Sequence, residues 1–184
     1  MKKIYLLILL ISSISFSCSQ NVDQQITSSR EATQQLANEL KLRLKSALQT
    51  SGPLEAISVC NLEAQNIGTK VSKQLGMSVG RTSLKLRNTA NAPDDWETKQ
   101  LHYFQEQFKV DSEDLEVFDI ISDNEGKWFR YMKTIPVGEV CLLCHGDVVA
   151  EPLKHKIESL YPSDQAIGYR KGELRGAFTV KQAL

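Results

Sequence analysis

The pentapeptide Cys141-Leu142-Leu143-Cys144-His145 constrains this chain more than any other stretch. Two cysteines three residues apart, followed at once by histidine, form the attachment signature of a c-type haem. The spacing has a chemical reason. Each thiol can add to one vinyl group of the same porphyrin. The histidine is then held beneath the iron, where it supplies an imidazole nitrogen. Three other readings compete: a local disulfide, half of a zinc site, and a thioredoxin-like pair. The chain has 4 cysteines, and no second close pair completes a zinc site. No βαβ pattern surrounds the motif as a redox dithiol would want.

The N-terminus carries an independent signal. Met1-Lys2-Lys3 is a basic start, and Ile4 to Ile11 is apolar apart from aromatic Tyr5. Ser12, Ser13, Ser15 and Ser17 follow. This is the three-part layout of a secretory leader, and it is too short for a spanning helix. Cys18 after small Ser17 resembles a bacterial lipoprotein cleavage site, at which the thiol carries the lipid. Ser15 and bulky Phe16 depart from that pattern, so simple cleavage or an uncleaved anchor stays open. Ser19 in place of Asp favours sorting to the outer membrane. The expected division is a signal peptide 1–18, a polar tether 19–30 and a haem domain 31–184. The expected location is exported, lipid-anchored at the outer membrane or otherwise periplasmic. Haem attachment takes place in that compartment, so leader and motif agree.

Composition bounds the partners. The chain has 184 residues, 41% hydrophobic, with a formal net charge of +0. That suits one globular domain with a full core. It gives no electrostatic case for nucleic acid or an anionic membrane surface.

Hydrophobic periodicity places the elements. Leu36, Leu40, Leu44 and Leu48 predict a helix from about Glu31, broken at Ser51-Gly52-Pro53. Their stripe serves equally as a dimer surface and as a face buried in its own domain. Ile57, Cys60, Ala64, Ile67 and Val71 predict a second helix ending near Gly76. Met77 to Leu86 reads as extended. Asp94 or Asp95 caps a third helix with Leu101, Phe104 and Phe108 inward. Val117 to Ser122 and Lys127 to Pro136 form a hairpin around Asp123-Asn124-Glu125-Gly126. Glu151-Pro152 opens a short helix with Leu153, Ile157 and Leu160 inward. Ala166 to Tyr169 and Glu173 to Val180 are expected to form a terminal hairpin. Long helices first, then antiparallel strands, give an α+β fold.

The iron needs a partner opposite His145. Candidates are Cys60, His102, His155, Met77, Met132 or an open position. The two histidines lie off their helix stripes and read as surface residues. The methionines read as core filling. Cys60 lies within an apolar stripe, where a ligand and a small buried thiol are equally compatible with the pattern. Arg81, Arg87 and Arg130 are candidates to pair with the haem carboxylates, against ordinary surface ion pairs. Trp96, Trp128, Phe129 and Tyr131 read as core before pocket lining.

Several stretches together resemble a known family. They are Ala56-Ile57-Ser58-Val59-Cys60, Val79-Gly80-Arg81-Thr82-Ser83, and Leu86-Arg87-Asn88 with Asn91-Ala92-Pro93-Asp94-Asp95-Trp96-Glu97. They continue as Cys141 to Gly146, Tyr161 to Tyr169, and Gly172-Glu173-Leu174-Arg175-Gly176-Ala177. The chain resembles the exported single-haem proteins with a PAS-like sensor fold, the Tll-type haem domain, found alone and as input domains of histidine kinases. The resemblance implies a PAS-like antiparallel sheet, with long N-terminal helices and flanking helices around one covalent haem c. It implies a cysteine thiolate as second axial ligand, which falls on Cys60. It places attachment on Cys141 and Cys144 and the first iron ligand on His145.

The expected function is a non-catalytic redox or gas sensor for CO, NO or O2 with His/Cys ligation. The alternative is a periplasmic monohaem electron carrier. An enzyme ranks last, because no distal acid–base pair is visible. Expected partners are haem, small gas ligands, a membrane through the lipid anchor, an unidentified signalling or redox protein, and a second copy of the chain.

Overall fold

A computed structural model describes residues 2–109 and 114–184; of residues 2–20, Val59 and Cys60 it describes the backbone alone. The expected α+β fold is observed. Helix α1 (Lys2–Leu75) leaves helical geometry at Gly52, with φ 79° and ψ 176°. A side chain at Gly52 would meet nothing within 4 Å, so the backbone angle rather than space calls for glycine. Pro53 then starts the second arm, where its missing N–H costs least. The two arms fold back on each other. Gln35 donates to Gln74, Lys70 pairs with Glu39, and Arg43 pairs with Glu63. That ladder of partners makes the arms antiparallel.

Four strands form one antiparallel sheet in the order β1-β4-β3-β2. They are β1 (Ser78–Thr82), β2 (Glu116–Asp123), β3 (Gly126–Pro136) and β4 (Leu174–Ala183). Register aligns Val79, Val180, Tyr131 and Phe118 across the sheet. Helix α1 covers this face, where Ala32, Leu36 and Val71 pack with Met77, Phe129 and Tyr131. Leu36 is therefore committed to its own domain, and Leu40 packs against the same cluster.

Helix α2 (Asp95–Gln107) covers part of the other face through Leu101 and Phe104 against Met132 and Ala177. Asp94 caps it, and Glu97 returns the bond to the Asp94 N–H, a closed capping box. Arg130 stands between them. It donates to Asp94 Oδ2 at 2.8 Å and Glu97 Oε1 at 3.1 Å, and lies 4.7 Å from the Trp96 ring centre. Its side chain is 4% exposed, so this ion group is part of the core.

Two expectations are corrected. The segment expected to be a tether over 19–30 is helical, and Val22 and Ile26 pack on the sheet cluster while Ser29 is buried. Asn21, Asp23, Gln24, Thr27 and Arg30 lie on the outer face of this part of α1. The terminal hairpin does not form either. Strand β4 is an inner strand, bonded to β1 on one side and β3 on the other. Both its edges are filled, so residues 166–169 pair elsewhere. The Asp123–Gly126 turn, the stop at Gly76 and helix α4 (Glu151–Leu160) stand as expected.

Replacing Arg130 by Met leaves Glu97 buried without its cation. Asp94 is half exposed and loses little. Breaking a buried pair costs about 3–5 kcal/mol, and the lower end is expected here. Urea unfolding should show a lower midpoint with an unchanged slope.

Candidate functional site

The pentapeptide sits where β3 leaves the sheet. Val137 is held twice: its N–H donates to the Glu173 carbonyl at 2.8 Å, and its carbonyl accepts from the Gly172 N–H at 2.9 Å. A single 3-10 turn (Glu139–Cys141) then leads into the one-turn helix α3 (Leu142–His145). Cys141 and Cys144 lie one turn apart; Cys141 packs against Val137, Ala166 and Tyr169, and Cys144 against Ile57, Leu153 and Ile157. Both are half-buried. Gly146 ends the turn, and a Cβ there would lie 2.7 Å from the Leu142 carbonyl oxygen. Only glycine lets the chain turn so tightly against its own helix.

A parallel bridge clamps this turn to the loop before β4. Tyr169 N–H donates to the His145 carbonyl at 2.9 Å, and Gly168 N–H to the Gly146 carbonyl at 3.1 Å. Inside the clamp, His145 Nδ1 lies 2.6 Å from the carbonyl oxygen of fully buried Ala166. A carbonyl only accepts, so Nδ1 carries the proton. Nε2 keeps its lone pair. The Tyr169 ring meets the imidazole edge-on at 6.4 Å between centres. Burial pushes the His145 imidazole down to about 3, with Arg87, Arg175 and Arg81 adding to the effect and the Ala166 carbonyl opposing it. His145 is therefore neutral at pH 7. A neutral imidazole with one nitrogen tied to a carbonyl is the form that ligates metal.

Arg87 connects three loops. Its Nη2 donates to the Cys144 carbonyl at 2.6 Å, Asp164 Oδ2 at 2.9 Å and the Ala166 carbonyl at 3.3 Å. Its Nε–H is buried and has no partner among the described residues. Arg175 donates from Nη1 to Ser83 Oγ at 3.0 Å and the Lys85 carbonyl at 3.2 Å. Burial pulls it below the ordinary guanidinium value, and the Arg87 charge adds to that. Lys85 lies 4.5 Å over the Tyr169 ring, and Arg175 lies 5.4 Å from it. Arg81 is half-buried on β1, near enough to act on His145.

The Tll0287-like family model matches residues 17–183. The chain belongs to the Tll0287-like family. Its structure is similar to the crystal structure of the cyanobacterial heme-protein Tll0287, with a TM-score of 0.59 and 26% sequence identity. The match covers 89% of this chain and 95% of that one. No curated protein matches the chain.

Within this family frame the other expected residues can be placed. Cys60 lies on the second arm of α1, one turn after Ile57. Ile57 packs with Leu153 and Ile157 of α4, against Cys144 and Tyr161. Helix spacing puts positions 57 and 60 on one face. The Cys60 side chain lies outside the described residues, as does that of Cys18. His102 is exposed, and His155 is exposed beside Glu151 and Glu158. Met77 and Met132 are buried in the two sheet cores. Arg130 belongs to the α2 core and not to this site. Trp128 donates to Asp123 and lies outside it too.

The residues present fit a haem. Two half-buried thiols one turn apart, a neutral imidazole with a free Nε2 lone pair, and a buried unpartnered N–H suited to a carboxylate meet in one place. Two parts of this site escaped sequence reasoning. Arg175 is legible only inside the Gly172–Ala177 stretch that carries the family resemblance, and Ala166 acts through its backbone, which no side-chain pattern reveals.

In the haem-free chain the depressed imidazole makes stability depend on pH. Above about 6.5, folded and unfolded His145 are both neutral. Below that, only the unfolded chain takes up the proton until the folded value near 3 is reached. Stability should therefore fall across that window, by up to about 1.4 kcal/mol per pH unit. Urea midpoints from about pH 7 to 4 check this. His145→Gln should lose less over the window than the parent chain, and parallel curves would contradict the assignment.

Proposed function

We propose that this chain holds one haem c, bound covalently through Cys141 and Cys144, with His145 on one side of the iron and Cys60 on the other. It works as a periplasm-facing, non-catalytic sensor of redox state or of CO, NO or O2, anchored through a lipid on Cys18. The observation that carries the reading is the His145 Nδ1–H bond to the Ala166 carbonyl at 2.6 Å inside the attachment motif. That bond fixes both the tautomer and the ring direction before any metal is present. The site's relatives support it: the similar solved structure is described as a heme-protein.

Bound haem supplies a one-electron iron couple and, at an open axial position, a place for a diatomic gas. The protein residues decide how that couple is used. His145 is held by backbone on both sides and stays. Cys60 sits on a separate helix, so it can leave without disturbing the motif. A thiolate favours ferric iron, and a proton taken up on the Cys60 sulfur would end its hold. Movement of one helix against a fixed loop is the two-state element that a sensor needs.

The electron-carrier reading has one observation of its own. Leu143 is 47% exposed, Val148 89% and Ile167 49%, all close to the motif. Such residues would suit brief contact with a redox partner.

Absorption spectra separate the two. Ferric protein matured with haem is expected to be low-spin with a thiolate signature that Cys60→Ala lacks, and the ferrous form should bind CO. Identical spectra for both proteins, with no CO uptake, would remove Cys60 from the iron and leave the carrier reading.

A further inference from the structure

The end of the sheet next to His145 concentrates positive charge. Arg81, Arg87, Arg175 and Lys85 lie there. Arg87 has Asp164 as its carboxylate partner. Among the described residues no carboxylate lies within ion-pair range of Arg175. Asp164, already paired with Arg87, attracts Arg175 from farther away, and Tyr169 acts on it in the same sense, so two guanidinium groups share one carboxylate. A buried cation with so little opposing charge is costly, because low polarity around it strengthens its self-energy. The fold nevertheless builds this one in. Ser83 donates to the Arg175 carbonyl at 2.8 Å and accepts from its guanidinium, so backbone and side chain are both pinned. Gly176 follows, and a Cβ there would lie 2.4 Å from the Thr82 carbonyl, so β4 runs hard against β1 at this point. The guanidinium is thus rigidly placed.

Arg87 shows the same preparation. All three of its acceptors are reached through Nη2, which leaves the Nε edge of the fork uncommitted. The Nε–H is buried and unpartnered among the described residues. A buried donor left unmade costs about 1–3 kcal/mol. Arg130 Nε in the α2 core is unmade too, but the Arg87 one stands beside the attachment motif, where Nη2 already holds Cys144 and Ala166. Two pre-positioned guanidinium groups, flanking a histidine suited to iron, match a ligand that carries two carboxylates.

We infer that Arg87 and Arg175 form a clamp that receives the two propionate carboxylates of the haem and thereby sets the charge felt at the iron. The inference rests on the haem reading above and assigns Arg175 a role in it. Guanidinium forks accept carboxylates in bidentate fashion, which a point charge does not reproduce. The clamp also joins distant segments. Arg87 ties the cofactor to Cys144 and Asp164, while Arg175 ties it to Ser83 and the sheet. Loss of positive charge there should favour ferric iron and lower the reduction potential.

The experiment compares haem-loaded wild type with Arg175→Gln, Arg175→Lys and Arg170→Gln. Arg170 is exposed and pairs with Asp147, so it removes the same charge outside the clamp. Potentials are read by spectroelectrochemistry and propionate bending modes by resonance Raman. Arg175→Gln is expected to lower the potential several-fold more than Arg170→Gln and to shift the propionate band. Arg175→Lys, which keeps the charge and guards against misfolding, should hold the potential closer to wild type yet still shift the band. A potential change no larger than that of Arg170→Gln, or an Arg175→Lys band identical to wild type, would overturn the clamp. Wild type without covalent haem would overturn the functional reading itself, and the clamp with it.

Discussion

The short backbone ladder between residues 145–146 and 168–169 holds the rest of the site in place. Without it the Cys141–His145 turn would be one helical turn on a surface loop, too short to persist alone. With it, the Ala166 carbonyl reaches His145 Nδ1, the imidazole is buried neutral, and the two thiols stand one turn apart. Arg87 then closes the arrangement by binding carbonyls on both sides of the ladder. Rigidity in a metal site comes from such supporting bonds more than from the ligands themselves.

The wall that the proposed function sets opposite His145 is built differently. Its helix is the second arm of α1, held to the first arm by exposed ion pairs and to the sheet through Ile67 and Val71. Near position 57 it touches α4 instead of the sheet. A site with one wall stapled by backbone and another resting on side-chain packing is asymmetric. That asymmetry is the feature on which the proposed switching role rests.

Much of the fold was legible because its signals are local. The Gly52-Pro53 break, the capping box at Asp94 and Glu97, and the Asp123–Gly126 turn each rest on a few adjacent residues. The haem motif was legible for the same reason. What failed was non-local. Residues 19–30 look like a tether because their polar residues outnumber Val22 and Ile26, and only the sheet beneath reveals which face is buried. The terminal hairpin looked sound in sequence, yet β4 pairs with strands nearly a hundred and some fifty residues away. Arg175 and Ala166 matter through partners on other loops, and no spacing rule reaches them. Arg130 looked like a surface or haem-facing charge until α2 closed over it.

The central claim is that Cys141 and Cys144 carry a covalently bound haem. Intact-protein mass spectrometry under denaturing conditions tests it most directly, on protein exported alongside a c-type haem maturation system. The account predicts the polypeptide mass plus one haem, with the added mass on the peptide that contains Cys141, Cys144 and His145. A mass equal to the polypeptide alone, with both cysteines reactive toward alkylation, would contradict it.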